Sequence, residues 1–350
     1  MKNILVVFTG GTIGSIAIDG TINTASSKSY QLLELFQQHC KNPEDFHFST
    51  VQPIQILSEN LAPCIWQTLI EAIEVMEPDR YDGIIITHGT DTLAYTAAAL
   101  SFYYNAIKLP MLLVASDYPL SDPRANGLDN FMCALEFIEQ NVQAGVFVPY
   151  RNQQQPLQVH QASRLTCSLQ LSGDFFSIQS KSAMSYENQV FSIQKTEALV
   201  NLGDNKSIWD MAEAPIKHSL KANFSERILM IKPYPGLNYA NFNLGHVDVV
   251  LHDLYHSGTA CASNQWSENY SLVEFIKRCG VEKIKVYLAP AIKSVDAYQT
   301  TRALIEQGAE MIWNMSIEAA YVKLMLAYGN FSDELQIMSF LETDIAGEHL

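Results

Sequence analysis

Basic residues are scarce in this chain. Across 350 residues, 22 Lys and Arg stand against 37 Asp and Glu, a formal net charge of −15. So acidic a balance argues against nucleic acid and anionic membranes as partners, because both need clustered positive charge. No stretch approaches the ~18 consecutive apolar residues that a membrane-spanning helix needs. The six cysteines (Cys40, Cys64, Cys133, Cys167, Cys261 and Cys279) show no CxxC and no paired spacing, so reduced thiols in an intracellular protein are expected. Met1-Lys2-Asn3-Ile4 leads straight into an apolar run without the pattern of a secretory leader, which points to the cytoplasm. Internal repeats and low-complexity tracts are absent as well.

What the chain does hold is apolar material in a regular rhythm. It is 48% hydrophobic and 17% charged, and its length suits two hydrophobic cores better than one. Apolar runs at 4–9, 83–88, 111–115 and 145–148 read as strands, and the patterns at 30–40, 64–76, 93–104 and 127–139 read as helices. Residues 51–57 read as extended, and the Gly/Ser/Thr-rich stretch 14–29 as a loop or hairpin. After a polar stretch around 180–220 the alternation resumes, with strands at 227–233, 247–253, 284–289 and 310–313. Helices are expected near 239–244 and at 271–279, 297–307 and 316–328. This alternation predicts an α/β protein of two domains, each a largely parallel sheet with helices on both faces. The expected divisions are an amino-terminal domain over 1–200, a linker over 201–220 and a smaller domain over 221–350.

Two motifs fall where apolar strands run out. Thr9-Gly10-Gly11-Thr12-Ile13-Gly14 follows the first strand, and His88-Gly89-Thr90-Asp91-Thr92 follows the strand at 83–88. In open α/β sheets, ligands bind in the crevice beyond the carboxyl ends of the strands. Paired glycines let backbone approach a ligand closely. The first motif is no dinucleotide fingerprint, since Thr12 stands where GxGxxG requires glycine. Thr90 and Asp91 stand at a helix start, where free amides and the dipole favour a carboxylate. The plainer alternatives are a helix cap for Asp91 and an ordinary strand-to-loop turn for the glycines, while His88 reads as structural rather than as a general base. Two threonine hydroxyls among glycines, beside a carboxylate, point to hydrolysis of a small acyl substrate with no cofactor. No metal is expected either: His252 and His256 follow a strand-like run, and Asp253 occupies the place where a zincin needs glutamate.

Taken together these segments resemble the bacterial L-asparaginase family, most closely its cytoplasmic type I branch, and the likeness runs nearly end to end. It is carried by His88 to Phe102 (HGTDTLAYTAAALSF), by Pro119-Leu120 with Arg124-Ala125-Asn126-Gly127 and Asn130, and by Ser58-Glu59-Asn60 followed by Pro63 and Trp66. Tyr298, Gly308-Ala309-Glu310 and Met315-Ser316-Ile317-Glu318-Ala319 continue it. The resemblance implies an asparaginase-like fold in which Thr12 is the nucleophile that forms an acyl-enzyme. Thr90 would belong to a second hydroxyl cluster, Asp91 would grip the substrate's α-ammonium, Ser58 its α-carboxylate, and Glu59 would face the amino group. Backbone amides around Gly11 and Gly89 would hold the oxyanion. It also implies a homodimer or homotetramer whose partner is a small molecule.

Four departures stand out. The family's relay lysine has no counterpart, because no lysine lies between Lys108 and Lys181; in Ala162-Ser163-Arg164-Leu165-Thr166-Cys167 the matching place falls on Cys167. Thr21 falls where the family has a loop tyrosine, Thr259 where it has an asparagine, and Asn126 where aspartate is usual. A positioned proton-transfer partner is worth roughly 10²- to 10⁴-fold in rate, and a threonine hydroxyl without one is a poor nucleophile. Cys167 takes the part only if a cation such as Arg164 activates its thiol; a buried inert cysteine is the plainer reading. Three readings therefore stand: an L-asparagine amidohydrolase of reduced rate, a non-catalytic asparagine- or aspartate-binding paralogue, and an amidase for a different small substrate.

Overall fold

The structure is a computed structural model describing residues 1–11, 13, 15–18, 21–24, 30–193 and 219–350, with only the backbone course given for 15–18 and 21–24. It divides into two compact units, Met1–Ala222 and Asn223–Leu350.

In the first unit, strands β1 (Lys2–Val7), β4 (Phe46–Val51), β5 (Gly83–Thr87), β6 (Pro110–Val114) and β7 (Gly145–Tyr150) form a parallel sheet in the order β4-β1-β5-β6-β7. Beyond β7 it continues antiparallel through β8 (Leu157–Gln161), β9 (Met184–Glu187) and β10 (Val190–Ile193). The Gly/Ser/Thr-rich stretch holds a small hairpin, β2 (Ser15–Ile18) against β3 (Thr21–Thr24). Helices α1 (Gln31–His39) and α4 (Gly127–Glu139) pack together on one face, where Leu32, Phe36, Phe131 and Phe137 meet Ile4, Val6, Ile85 and Leu112. The intervening residues Leu5, Val7, Ile84, Ile86, Met111 and Leu113 are equally buried, and strand alternation turns them to the opposite face. There α2 (Pro63–Val75) lies against α3 (Leu93–Tyr103), with Trp66 Nε1 donating to Thr96 Oγ1 at 3.0 Å.

The second unit is a four-stranded parallel sheet, β11 (Ile228–Ile231), β12 (Val249–Asp253), β13 (Lys285–Ala291) and β14 (Glu310–Trp313), in chain order. Helices α5 (Leu272–Val281) and α6 (Gln299–Glu306) cover the face of Val250, Val286 and Leu288. Helix α7 (Ile317–Asn330) packs against β11 and β13, and α8 (Glu334–Glu342) against α7 and β14. No helix among the described residues is long and apolar enough to cross a membrane.

Several expected elements differ. The paired strand sits at Phe46–Val51 rather than 51–57, because Phe46 and Phe48 bury their rings against Phe36 while 52–57 runs on into the site with a single bridge at Ile56. The helix expected near 239–244 is one short turn, Tyr239–Asn241. Helix α8 lies beyond the last one expected, and the expected linker lies outside the described residues up to 218.

One buried ion pair closes the second unit. Lys323 on α7 and Glu348 have fully buried side chains and meet directly. Lys323 Nζ also donates to the Thr343 carbonyl at 2.6 Å, and the Ala346 amide donates to Glu348 at 2.8 Å. Burial alone would raise the Glu348 carboxyl; the Lys323 ammonium and these hydrogen bonds outweigh it and hold it below the usual range. Lys323→Met should therefore destabilise the unit by about 3–5 kcal/mol in denaturant unfolding, since it strands a buried charge. Replacing both partners with apolar residues should restore most of the loss.

Three imidazoles among the described residues are buried as well: His88, His160 and His252. Burial pushes each from the ordinary 6.5 down to about 4. A depressed imidazole contributes fully above pH 6.5, and its contribution erodes as pH falls toward 4, because the unfolded chain then binds more protons. The urea midpoint should fall across that window; a flat midpoint from pH 6.5 to 4 would contradict the burial of all three.

Candidate active site

Strands β1 and β5 are distant in sequence and adjacent in the sheet. Their ends are stitched by a matched pair of threonines: Thr9 Oγ1 donates to the Thr87 carbonyl at 2.6 Å, and the Thr9 amide lies 3.3 Å from Thr87 Oγ1. Both residues are buried. Just past this stitch the chain opens into Gly10-Gly11 on one side and His88-Gly89 on the other.

Glycine is required at three of these positions. Gly10 and Gly11 have φ of 103° and 74°. A Cβ on Gly10 would sit 2.5 Å from the Ile56 carbonyl oxygen, one on Gly11 2.4 Å from the Gly89 nitrogen, and one on Gly89 2.4 Å from Ser58 Oγ. Three loops from three strands are thus in backbone contact. Hydrogen bonds fix the third: the Ile56 amide donates to Thr9 O and the Gly11 amide to Ile56 O, both at 2.9 Å.

Beyond Ile56, one short helical turn, Ser58–Asn60, presents Ser58 inward and leaves Glu59 exposed. Ser58 Oγ donates to Asp91 Oδ2 at 3.0 Å and accepts from the Asp91 amide at 3.2 Å. Thr92 Oγ1 donates to the Ser58 carbonyl at 3.0 Å. Asp91 itself is exposed, so its carboxylate is open to a cationic ligand while already oriented by Ser58. This turn leads directly into α3, whose first helical residue is Leu93.

His88 is 3% exposed, and its Nδ1 lies 2.7 Å from the Gly89 carbonyl. Desolvation lowers its pKa to about 4, opposed by that hydrogen bond and by the charge of Asp91, so the ring is neutral at neutral pH. His252 lies on β12 with Nδ1 2.5 Å from the Asp253 carbonyl and Nε2 2.8 Å from Tyr239 Oη, an arrangement that occupies both ring nitrogens.

The residues singled out from sequence fall as follows. Ser58, Gly11, Gly89, Thr90 and Asp91 come together, with Glu59 on the adjoining turn. Thr12 lies outside the described residues, and for Thr21 only the backbone is described. The Gly11 amide is already donated to Ile56, so Gly11 contributes close backbone approach and is no oxyanion donor. Cys167 is half-buried, two residues past Leu165, and Thr166 just before it is bound to the Phe176 carbonyl through both its amide and its hydroxyl. The turn Ala162–Arg164 packs against α3. Thr259 belongs to the second unit, with its hydroxyl 3.0 Å from Ser257 Oγ. Asn126 is buried, its Oδ1 accepting from the Asp117 amide at 3.0 Å and its Nδ2 donating to the Arg151 carbonyl at 2.9 Å. An aspartate there would set a second oxygen against that carbonyl.

Sequence reasoning missed the part played by Thr9, Thr87, Thr92 and the Ile56 backbone. A signal was present in the threonine that ends each strand just before its glycine motif. A cavity of about 600 Å³ lies elsewhere, in the second unit beside Tyr287, Met311 and Trp313, and touches none of these residues. Size alone does not locate the site. Gly11→Ala should be strongly damaging, because the added methyl meets the Gly89 backbone rather than a side chain able to move. A melting temperature within a degree of the parent would contradict that contact.

The sequence matches the family profile "Asparaginase, N-terminal" over residues 3–197. An L-asparaginase from Thermococcus kodakarensis is 26% identical over 355 residues, covering 99% of this chain and 98% of that one. The solved structure of the thermostable L-asparaginase from that organism superposes with a TM-score of 0.76 at 25% identity, covering 99% of each chain. One of the subunits of a glutamyl-tRNA(Gln) amidotransferase from Methanosphaera stadtmanae is 25% identical over 362 residues, covering 99% of this chain and 76% of that one.

Proposed function

Since the chain belongs to the asparaginase family of amidohydrolases, we propose that it converts L-asparagine to L-aspartate and ammonia through a Thr12 acyl-enzyme, at a rate reduced by the missing relay lysine. The observation that carries this reading is the convergence of Gly11, Gly89, Ser58 and Asp91 at the ends of β1, β4 and β5. It supplies an acceptor and a donor for a zwitterionic head beside a glycine-lined backbone.

In this reading the substrate's α-carboxylate draws the Ser58 hydroxyl away from Asp91, and the released Asp91 oxygen takes the α-ammonium. One internal hydrogen bond is exchanged for two charge-assisted ones. Thr12 Oγ then attacks the side-chain carbonyl carbon and loses its proton as the C–O bond forms. The resulting oxyanion is held by backbone amides, which need no ordering at the moment of reaction. Collapse breaks the C–N bond, the nitrogen leaves protonated as ammonia, and water attacks the ester to release aspartate and restore Thr12. The weak point is the proton leaving Thr12. Lacking the family's relay lysine, the chain would lose roughly 10²- to 10⁴-fold in rate.

That same absence supports a second reading, a non-catalytic binder of asparagine or aspartate; an amidase for another small amide, with Cys167 in a new relay, is a third. Relatives named as subunits of a glutamyl-tRNA(Gln) amidotransferase also remove the ground for ruling out nucleic acid or a partner protein from acidity alone.

Ammonia release from L-asparagine, measured beside Thr12→Ala, separates these. Activity abolished in the variant supports the hydrolase. No turnover together with a melting temperature raised by asparagine supports the binder. Cys167→Lys should raise the rate if that position stands in the lysine's place, and an unchanged or lower rate would overturn that part of the account.

A further inference from the structure

We propose that Thr92 is a positioning residue for the substrate's α-carboxylate. Its hydroxyl, given to the Ser58 carbonyl, keeps the Ser58 turn in place when the Ser58 hydroxyl swings from Asp91 to the ligand; this rests on the reading above, in which Ser58 takes that carboxylate.

Thr92 stands at the cap position that precedes α3. Threonine is favoured there because its oxygen can accept from a free backbone amide in the first helical turn. Here the hydroxyl makes no such bond. Thr92 Oγ1 instead donates to the Ser58 carbonyl at 3.0 Å, 34 residues back in the chain. The helix forgoes a stabilising contact at its own end, and the group that would have made it reaches across to the turn that carries Ser58.

Among the described residues, three hydrogen bonds join Ser58 to the loop after β5. Two of them use the Ser58 hydroxyl, which donates to Asp91 Oδ2 at 3.0 Å and accepts from the Asp91 amide at 3.2 Å. A hydroxyl has one proton, so giving it to a carboxylate ends the donation to Asp91. Any rotation that carries Oγ toward the ligand also lengthens its contact with the Asp91 amide. The Thr92 bond uses the carbonyl and survives the exchange. Other bonds of the segment do not replace it. The Leu61 amide donates to Ser58 O at 3.1 Å from within the same turn, and the Ile56 amide and carbonyl tie the chain to Thr9 and Gly11, on the other loop. Thr92 thus holds Ser58 against the β5 loop in the liganded state as well as in the free one. A turn held before the ligand arrives needs less ordering on binding, and the saving is read as affinity.

The test compares Thr92→Val, which keeps the branched shape without the donor, with Thr92→Ser, which keeps the donor. Each is made in the parent and in a Ser58→Ala background, with Thr92→Ala as a further donor-free variant should valine disturb the start of α3. Kd for L-aspartate is measured by calorimetry, and KM and kcat with L-asparagine. Thr92→Val should raise Kd and KM about 5- to 10-fold, the effect of losing one ordinary hydrogen bond. Its kcat should stay within about 2-fold of the parent, because the bond is made in the ground state and the transition state alike. Thr92→Ser should lie within about 2-fold of the parent in all three constants, since its hydroxyl offers the same donor. In the Ser58→Ala background Thr92→Val should add less than about 2-fold, because the group it positions is gone. An unchanged Kd, a Thr92→Ser as weak as Thr92→Val, a kcat that falls as far as KM rises, or an undiminished effect in Ser58→Ala would overturn the proposal. If the parent binds L-aspartate and releases no ammonia from L-asparagine, the hydrolase reading fails and Kd still decides the role of Thr92. A parent that turns over L-asparagine with Thr92→Val unaffected ends the proposal and leaves the hydrolase, and one that binds neither amino acid overturns both.

Discussion

The contact on which the rest of this structure depends is one between two backbones, Gly11 against Gly89. A side chain at Gly11 would push the loops apart, since a methyl there would lie 2.4 Å from the Gly89 nitrogen, and one at Gly89 would meet Ser58 Oγ at 2.4 Å. The contact is possible because β1 and β5 are neighbours in register and because Thr9 and Thr87 tie their last residues together. Burial of Leu5, Val7, Ile84 and Ile86 holds those strands in place, so the hydrophobic core sets the spacing at which the glycines meet.

The polar side chains around the glycines act on that peptide more than on solvent. His88 is neutral and holds a carbonyl, Thr92 donates to a carbonyl, and Ser58 is shared between the amide and the carboxylate of Asp91. Among the described residues of the site, Asp91 and Glu59 present charge outward. In the proposed reading, a zwitterionic substrate would find its acceptor already oriented by Ser58. In the proposed reading, the family likeness bears on recognition and the absent lysine on activation of the nucleophile.

Much of this was legible beforehand, for identifiable reasons. Continuous apolar runs such as Gly83-Ile84-Ile85-Ile86 mark a strand buried on both faces, and 13-residue helices such as α2 and α4 show their apolar stripe plainly. The strand at Phe46–Val51 was harder, because it is a half-buried edge strand containing histidine, serine and threonine, and its anchor is a set of ring contacts with Phe36 on the preceding helix. Helix α8 was missed because the tertiary contacts of Ile337, Phe340 and Leu341, more than any strong local pattern, define it.

From the sequence alone came the α/β alternation, the placing of two glycine motifs at strand ends, and the lack of a lysine between Lys108 and Lys181. These depend on residue type and local spacing, which a linear chain carries in full. Tertiary structure alone decided that the Gly11 amide is spent on Ile56 and that the Ser58 hydroxyl is engaged with Asp91. A hydrogen bond is a matter of direction and distance between groups far apart in the chain, and those are determined only when the strands that carry them are packed side by side.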